Sequence, residues 1–141
     1  MKVKAGDLVN TTEYLKVESV SANELVVKNL HNGVKFRIRG DELIDELKSA
    51  DSFDKVQKVT KTALAEKMME CYNVVFTVSF NKTNGQERVL RGRLMSHEPL
   101  MGRSYCEDLD IDGTPKDRLR QVDHRTLNYL IVNGTKYTLK K

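Results

Sequence analysis

The sequence has few of the residues that build disulfide scaffolds, metal centres or membrane spans. Its 141 residues include only two cysteines, Cys71 and Cys106, with neither a CxxC pair nor a Cys/His cluster. A structural zinc and a disulfide framework are therefore not expected, and a reducing compartment fits. No run approaches the roughly 20 apolar residues of a spanning helix, so we expect a soluble protein without a membrane partner. No apolar stretch follows the charges at the N-terminus, so no secretory signal is predicted.

Catalytic signatures are also missing. The three histidines are scattered along the chain, and no nucleophile elbow, P-loop or HExxH sequence accompanies them. Asp123 and His124 are adjacent in the sequence and could suggest a catalytic dyad. Neighbours in a strand point to opposite faces, however, so the two side chains are not expected to meet. A turn could bring them together, but a polar corner between strands is the favoured interpretation. We therefore expect a protein that is not an enzyme and has no cofactor.

Residues 108–113 match the first half of a calcium-binding EF-hand loop, because carboxylates occupy alternate positions and a glycine follows them. The pattern then fails, because Leu119 stands at the twelfth position and Lys116 occupies a ligand position. We expect a solvated acidic turn, with Leu109 and Ile111 pointing inward and no metal bound.

The first half of the chain predicts a small β-meander. Strands are expected at 14–20 and 25–30, and a turn at His31-Asn32-Gly33 leads into 34–39. The alternation in that last strand places Val34, Phe36 and Ile38 inward. Asp41 is a plausible N-cap for a short helix that ends at Lys48. The polar segment 49–58 loses periodicity, so the domain boundary is placed there, between domains 1–53 and 54–141.

The second half predicts a helix followed by a small barrel. Leu64, Met68 and Tyr72 recur at helical spacing, which indicates an amphipathic helix over 60–72. Asn133-Gly134 between two β-prone runs is the strongest short hairpin signal, because both turn residues must tolerate a positive φ. Further strands are expected at 74–80, 87–95 and 105–111, with a loop at 96–104 and three short strands over 118–141. The fold class is mostly β (α+β), with two small SH3/Sm-like barrels.

A resemblance supports this architecture. The run RVLRGRLMSHEPLMGRSYCEDLDID from Arg88, with RLRQVDHRTLNYLIVNGTKYTLK from Arg118, resembles the WYL-like, Sm/SH3-barrel domain of tailed-phage proteins. The Trp-Tyr-Leu signature stands here as Asn128-Tyr129-Leu130. With a KOW/SH3-like first half, the chain is similar in layout to the MotB-type DNA-binding proteins of T-even phages. The resemblance implies a bacteriophage protein in the host cytoplasm, associated with the nucleoid.

Charge favours a nucleic-acid partner. The net charge is +4 with a pI of about 9.0, and residues 1–53 carry 8 Lys/Arg against 9 Asp/Glu, whereas 54–141 carry 16 against 11. Arginine suits bidentate phosphate contacts. Same-face rows of cations, with single arginines near them, give the expected DNA-binding residues: Lys35, Arg37, Arg39, Arg88, Arg91, Arg93, Arg103, Arg118, Arg120 and Arg125. Solvated sheet faces, or edge strands protected by charge, are the alternative interpretation of these rows.

The sequence and the resemblance together predict a protein that binds double-stranded DNA with little sequence preference and modulates transcription or the host nucleoid. The second half is expected to hold most of the DNA affinity, through Arg91, Arg93, Arg118 and Arg120 on two strands that could be neighbours. The rival function is a protein-binding module that docks a host factor, such as a polymerase, a defence protein or a nucleoid protein, through a barrel edge strand.

Overall fold

The computed structural model describes residues 3–10, 14–21, 24–30, 32–39, 50–72, 74–114 and 116–140. The described chain is mostly β, with two sheets and one α-helix, which confirms the mostly β (α+β) class but not the closure of either sheet into a barrel. The helix predicted from Asp41 to Lys48 lies outside the described residues, as does His31. No helix in these ranges is long and apolar enough to cross a membrane.

The first sheet is an antiparallel meander in the order β1-β2-β3-β4, as the sequence predicts. Its interior face is apolar because alternate residues of each strand point to it, and Val9, Val17, Leu25 and Val27 are each at most 1% exposed. The strands are β1 (Leu8–Asn10), β2 (Tyr14–Val20), β3 (Glu24–Asn29) and β4 (Lys35–Arg39).

The second sheet has seven strands in the order β5-β11-β10-β6-β7-β8-β9. All neighbours are antiparallel except β5 and β11, which are parallel. This order is open at both ends among the described strands, so closure into a barrel stays a prediction. The strands are β5 (Phe53–Val59), β6 (Phe76–Asn81), β7 (Glu87–Glu98), β8 (Arg103–Asp108), β9 (Leu119–Asp123), β10 (Leu127–Val132) and β11 (Gly134–Leu139).

Helix α1 (Lys61–Met69) covers the core of the second sheet. Thr60 caps it, since its hydroxyl accepts a hydrogen bond from the Ala63 amide at 3.1 Å. Leu64 and Met68 lie one turn apart and are fully buried against the sheet. The helix is confirmed but ends before Tyr72, which is 56% exposed.

The Asn133-Gly134 hairpin is confirmed. Asn133 has a φ of 51° and Gly134 a φ of 79°, so both turn residues adopt the positive φ that the sequence implied. Val132 pairs with Thr135, and the register continues as far as Tyr129 opposite Thr138. Local turn chemistry therefore sets the pairing of β10 with β11.

Several predicted boundaries were wrong. The supposed linker at 49–58 contains β5, a polar strand that is exposed along most of its length because it lies at the sheet edge. The loop predicted at 96–104 is shorter in the structure. Strand β7 continues to Glu98, a single 3₁₀ turn (Pro99–Met101) follows, and β8 begins at Arg103. The strand expected to reach Ile111 ends at Asp108.

Two of the three residues expected to point inward at β4 are more exposed than that expectation implies. Val34 precedes β4 and is 55% exposed. Phe36 lies opposite Val27 on the core side of the sheet but is still 37% exposed, and only Ile38 packs on the core of the first sheet. The physical reason is the position of β4 as the last strand of that sheet, with a neighbour on one side only among the described strands.

The two sheets touch through a small apolar cluster. Leu8 from the first sheet, Ala50, and Val75 and Leu109 from the second part are each at most 5% exposed. The Ala50 amide donates to the Leu8 carbonyl at 2.7 Å, and Arg91 Nη2 donates to the Gly6 carbonyl at 3.2 Å. These contacts hold one end of the first sheet against the second. Independent folding of 1–53 and 54–141 stays a prediction.

Candidate nucleic-acid interface

A row of lysines crosses three strands of the first sheet. Lys16 on β2 lies opposite Lys28 on β3, and Lys28 lies opposite Lys35 on β4. Residues that face each other across antiparallel strands share a face, so the three ammonium groups emerge on the same side. In the described part of the chain, none of these lysines has an ion-pair partner. Their face is opposite to the one that forms the apolar core.

The same face continues with two arginines of β4. Arg37 lies opposite Val26, and Arg39 lies opposite Glu24. Glu24 contacts both guanidinium groups, at 3.5 Å from Arg37 Nε and 3.3 Å from Arg39 Nε. The Glu24 carboxylate therefore binds two exposed guanidinium groups, and the three side chains together keep a net positive charge. We call Lys16, Lys28, Lys35, Arg37 and Arg39 the cationic face.

The cationic face is open at one end and covered at the other. Leu8 lies opposite Lys16 and is completely buried against the second sheet. Lys16 and Lys28 are half-buried, whereas Lys35, Arg37 and Arg39 are exposed. The most accessible charge is consequently at β4, away from the contact between the sheets.

Three of the four arginines that the sequence placed in a second-sheet patch, Arg91, Arg93 and Arg118, are bound by carboxylates, and so is Arg88. Arg91 makes a bidentate contact with Asp110, with Nε at 2.9 Å from Oδ2 and Nη2 at 2.5 Å from Oδ1. The hydrogen bond to Asp110 raises the pKa of Arg91 further above its usual range. Arg88 Nη2 donates to Asp108 Oδ2 at 2.8 Å. Both charges are compensated within the fold.

Glu107 sits between two more of these arginines. It is 2% exposed, and its carboxylate lies 2.8 Å from Arg93 Nε and 2.5 Å from Arg118 Nη2. The side chains of Arg93 and Arg118 are each 17% exposed. Glu107, Arg93 and Arg118 form an ion-pair triad that connects β7 and the segment before β9 to β8.

The expectation of one outward arginine patch was therefore wrong in its geometry. Strands β7 and β9 are not neighbours, because β8 lies between them and brings the acidic partners. Arg118 and Arg120 do not share a role either. Arg118 reaches Glu107, while Arg120 lines a cavity.

The remaining predicted residues are dispersed. Arg103 Nη1 makes a long contact of 3.5 Å with Gln121 Oε1. Arg125 is exposed and binds Asp123, with Nη2 at 2.8 Å from Oδ2. This hydrogen-bonded contact lowers the pKa of Asp123 to about 2. Neither arginine joins the cationic face of the first sheet.

The Asp123-His124 pair lies at a corner between β9 and β10, and the two side chains make separate contacts. Asp123 binds Arg125, whereas His124 Nε2 lies 2.7 Å from the Ser104 hydroxyl. Ser104 is fully buried, and burial lowers the pKa of His124. Burial also raises the pKa of both cysteine thiols to about 12. The expectation that the protein is not an enzyme stays a prediction.

The acidic turn after β8 contributes to packing and ion pairing. Leu109 is buried between the two sheets, while Asp108 and Asp110 bind Arg88 and Arg91. Within the described ranges, no group of three or more His, Cys, Asp or Glu residues is arranged to hold a metal ion.

The sequence named only the β4 residues of the cationic face. Lys16 and Lys28 were missed because they are far apart along the chain and meet only through strand register. The turn at Asn32-Gly33 was a usable signal, since a short hairpin there places Lys28 opposite Lys35. Comparisons with protein-family models, curated proteins and solved structures gave no match.

Proposed function

We propose that this protein binds double-stranded DNA with little sequence preference through the cationic face of the first sheet. The observation that carries the proposal is the cross-strand row Lys16, Lys28 and Lys35, continued by Arg37 and Arg39 with Glu24 between them. Phosphate contacts from such groups position a protein on a duplex without reading its sequence. The proposal moves the expected DNA site from the second half of the chain to the first.

The dimensions of the face suit a duplex. Neighbouring strands lie about 4.8 Å apart, so three adjacent strands spread the lysines over about 10 Å. Over that length a duplex carries about six phosphate charges. Release of condensed counterions would supply most of the affinity. In the phage setting that the resemblance implies, binding of this kind would act on transcription or on the host nucleoid.

Fluorescence anisotropy with several unrelated duplexes tests the proposal. Replacing Lys16, Lys28 and Lys35 with Gln should weaken binding alike on every duplex, because phosphates are common to all of them. The matched control replaces three exposed lysines outside the cationic face, Lys55, Lys58 and Lys140, and removes the same total charge. Equal losses in the two triple variants would show that only net charge matters and would contradict a defined face.

A second candidate function is protein docking through β5. This strand lies at the edge of the second sheet with β11 as its neighbour, and Phe53 and Val56 on it are 44% and 59% exposed. An added strand would pair with the open edge while these side chains enter pockets of the partner. Such a complex should resist salt and be lost on replacing Phe53 and Val56 with Ser, while DNA affinity stays unchanged.

A further inference from the structure

A cavity of about 370 Å³ lies between the β6–β7 hairpin and the last strand of the second sheet. Its volume falls at the small end of the range for ligand pockets, about 300 to 1,000 Å³. Three cationic side chains line the cavity: Lys82 from the turn between β6 and β7, Arg88 from β7 and Arg120 from β9. Lys82 and Arg88 come from one hairpin, whereas Arg120 comes from β9, which is separated from β7 by β8 in the strand order and still lines the same cavity.

Two of the three cations are held in place. Arg120 Nη1 donates to the carbonyls of Asp117 and Leu119 at 2.9 and 2.8 Å. Arg88 is fixed through Nη2 by Asp108, which does not line the cavity. Each guanidinium has five N–H donors, so donors remain on both after these contacts. In the described residues, Lys82 has no ion-pair partner.

One acidic residue, Asp123, also lines the cavity. Its carboxylate is engaged by Arg125, which donates from its backbone amide at 2.9 Å, from Nε at 3.1 Å and from Nη2 at 2.8 Å. That contact compensates the charge of Asp123, so the cavity keeps a positive balance. Asn81, Gln121 and Thr126 add neutral hydrogen-bonding groups to the lining.

We propose that this cavity binds a phosphate monoester of about the size of a mononucleotide. Guanidinium forks match phosphate oxygens in pairs, and fixed forks lose little freedom when a phosphate binds. The amide and hydroxyl groups of the lining suit the sugar or base attached to that phosphate. The phosphate could come from a free nucleotide or from the phosphorylated end of a nucleic-acid strand. The site is on the second sheet and is independent of the cationic face.

Isothermal titration calorimetry on the full chain tests this site with four probes: inorganic phosphate, AMP, and a short single-stranded oligonucleotide in its 5′-phosphorylated and 5′-hydroxyl forms. We expect AMP to bind, and replacing Lys82 and Arg120 with Gln to weaken it by at least about tenfold, as lost bonds to a charged group imply. The charge-matched control, Lys55 and Lys140 to Gln, should change the affinity less than about twofold.

The outcomes separate the two sources and the two proposals. Tighter binding of the 5′-phosphorylated strand than of both AMP and the 5′-hydroxyl strand points to a strand end, because backbone contacts are common to the two strands. Equal binding of the two strands, together with AMP binding, points to a free nucleotide. Replacing Lys16, Lys28 and Lys35 should leave AMP affinity unchanged. If the variants do not fold, amide shifts of Asn81 and Gln121 in the wild-type NMR spectrum on addition of AMP serve instead. The proposal would be overturned if AMP at millimolar concentration neither bound nor shifted those amides. It would also be overturned if the Lys55 and Lys140 control lost as much AMP affinity as the Lys82 and Arg120 variant. Neither result would affect the proposed DNA binding by the cationic face.

Discussion

Replacing Glu107 with Gln should be among the most destabilising single changes in the second sheet. The carboxylate is almost completely buried and bridges Arg93 and Arg118, which are themselves largely covered. Among the described residues, the buried Nε of Arg118 has no hydrogen-bond partner, so this guanidinium depends strongly on Glu107. Removing one partner of a buried ion pair costs about 3 to 5 kcal/mol, because the remaining charge stays buried without compensation. The partial exposure of the arginines places our expectation at the lower end, about 3 kcal/mol.

Urea unfolding followed by circular dichroism measures this loss, and the midpoint should fall with little change in slope. In a thermal melt, 3 kcal/mol corresponds to about 10 °C for a chain of this size. Glu66 to Gln on the exposed side of helix α1 is the matched control and should change stability by less than about 0.5 kcal/mol. A Glu107 variant within about 1 kcal/mol of wild type would refute the structural role of the triad.

Three further predictions concern packing, pH and metal binding. Gly92 to Ala should cost about 1 to 3 kcal/mol in urea unfolding, because an added Cβ would lie 2.7 Å from Leu90 Cδ2 and even closer to the Glu107 carbonyl. Since the pKa of His124 is lowered in the fold, unfolding should become easier as pH falls from about 6.5 towards its folded pKa, and a His124 to Asn variant should lack that slope. Thermal melts with and without millimolar calcium should coincide, because Leu119 stands where an EF-hand loop needs a bidentate Glu.

Local chemistry made part of the fold predictable. The Asn133-Gly134 turn and helix α1 follow from signals that lie within a few residues, and both are present. Alternation is also visible in β7, where buried Leu90, Gly92 and Leu94 alternate with half-buried Arg91 and Arg93. Strand β5 was missed because its polar sequence shows no alternation, and it is ordered by parallel pairing with β11, about 80 residues later in the chain.

The candidate site was less predictable because a charge on a strand face reveals nothing about what lies opposite it. The sequence could not show that β8 separates β7 from β9 and supplies Glu107, which binds Arg93 and Arg118. Long-range pairing decides whether an arginine is exposed or forms part of the interior. The same rule applies to Lys16 and Lys28, which join the cationic face only through strand register.

The salt dependence of DNA affinity tests the central claim most directly. Each phosphate contact contributes about 0.9 to the slope of log affinity against log salt concentration. Replacing Lys16, Lys28 and Lys35 with Gln should therefore flatten the slope by about 2 to 3 units. The control triple variant at Lys55, Lys58 and Lys140 should keep the wild-type slope. A wild-type slope in the first variant, with DNA affinity retained, would contradict binding through the cationic face.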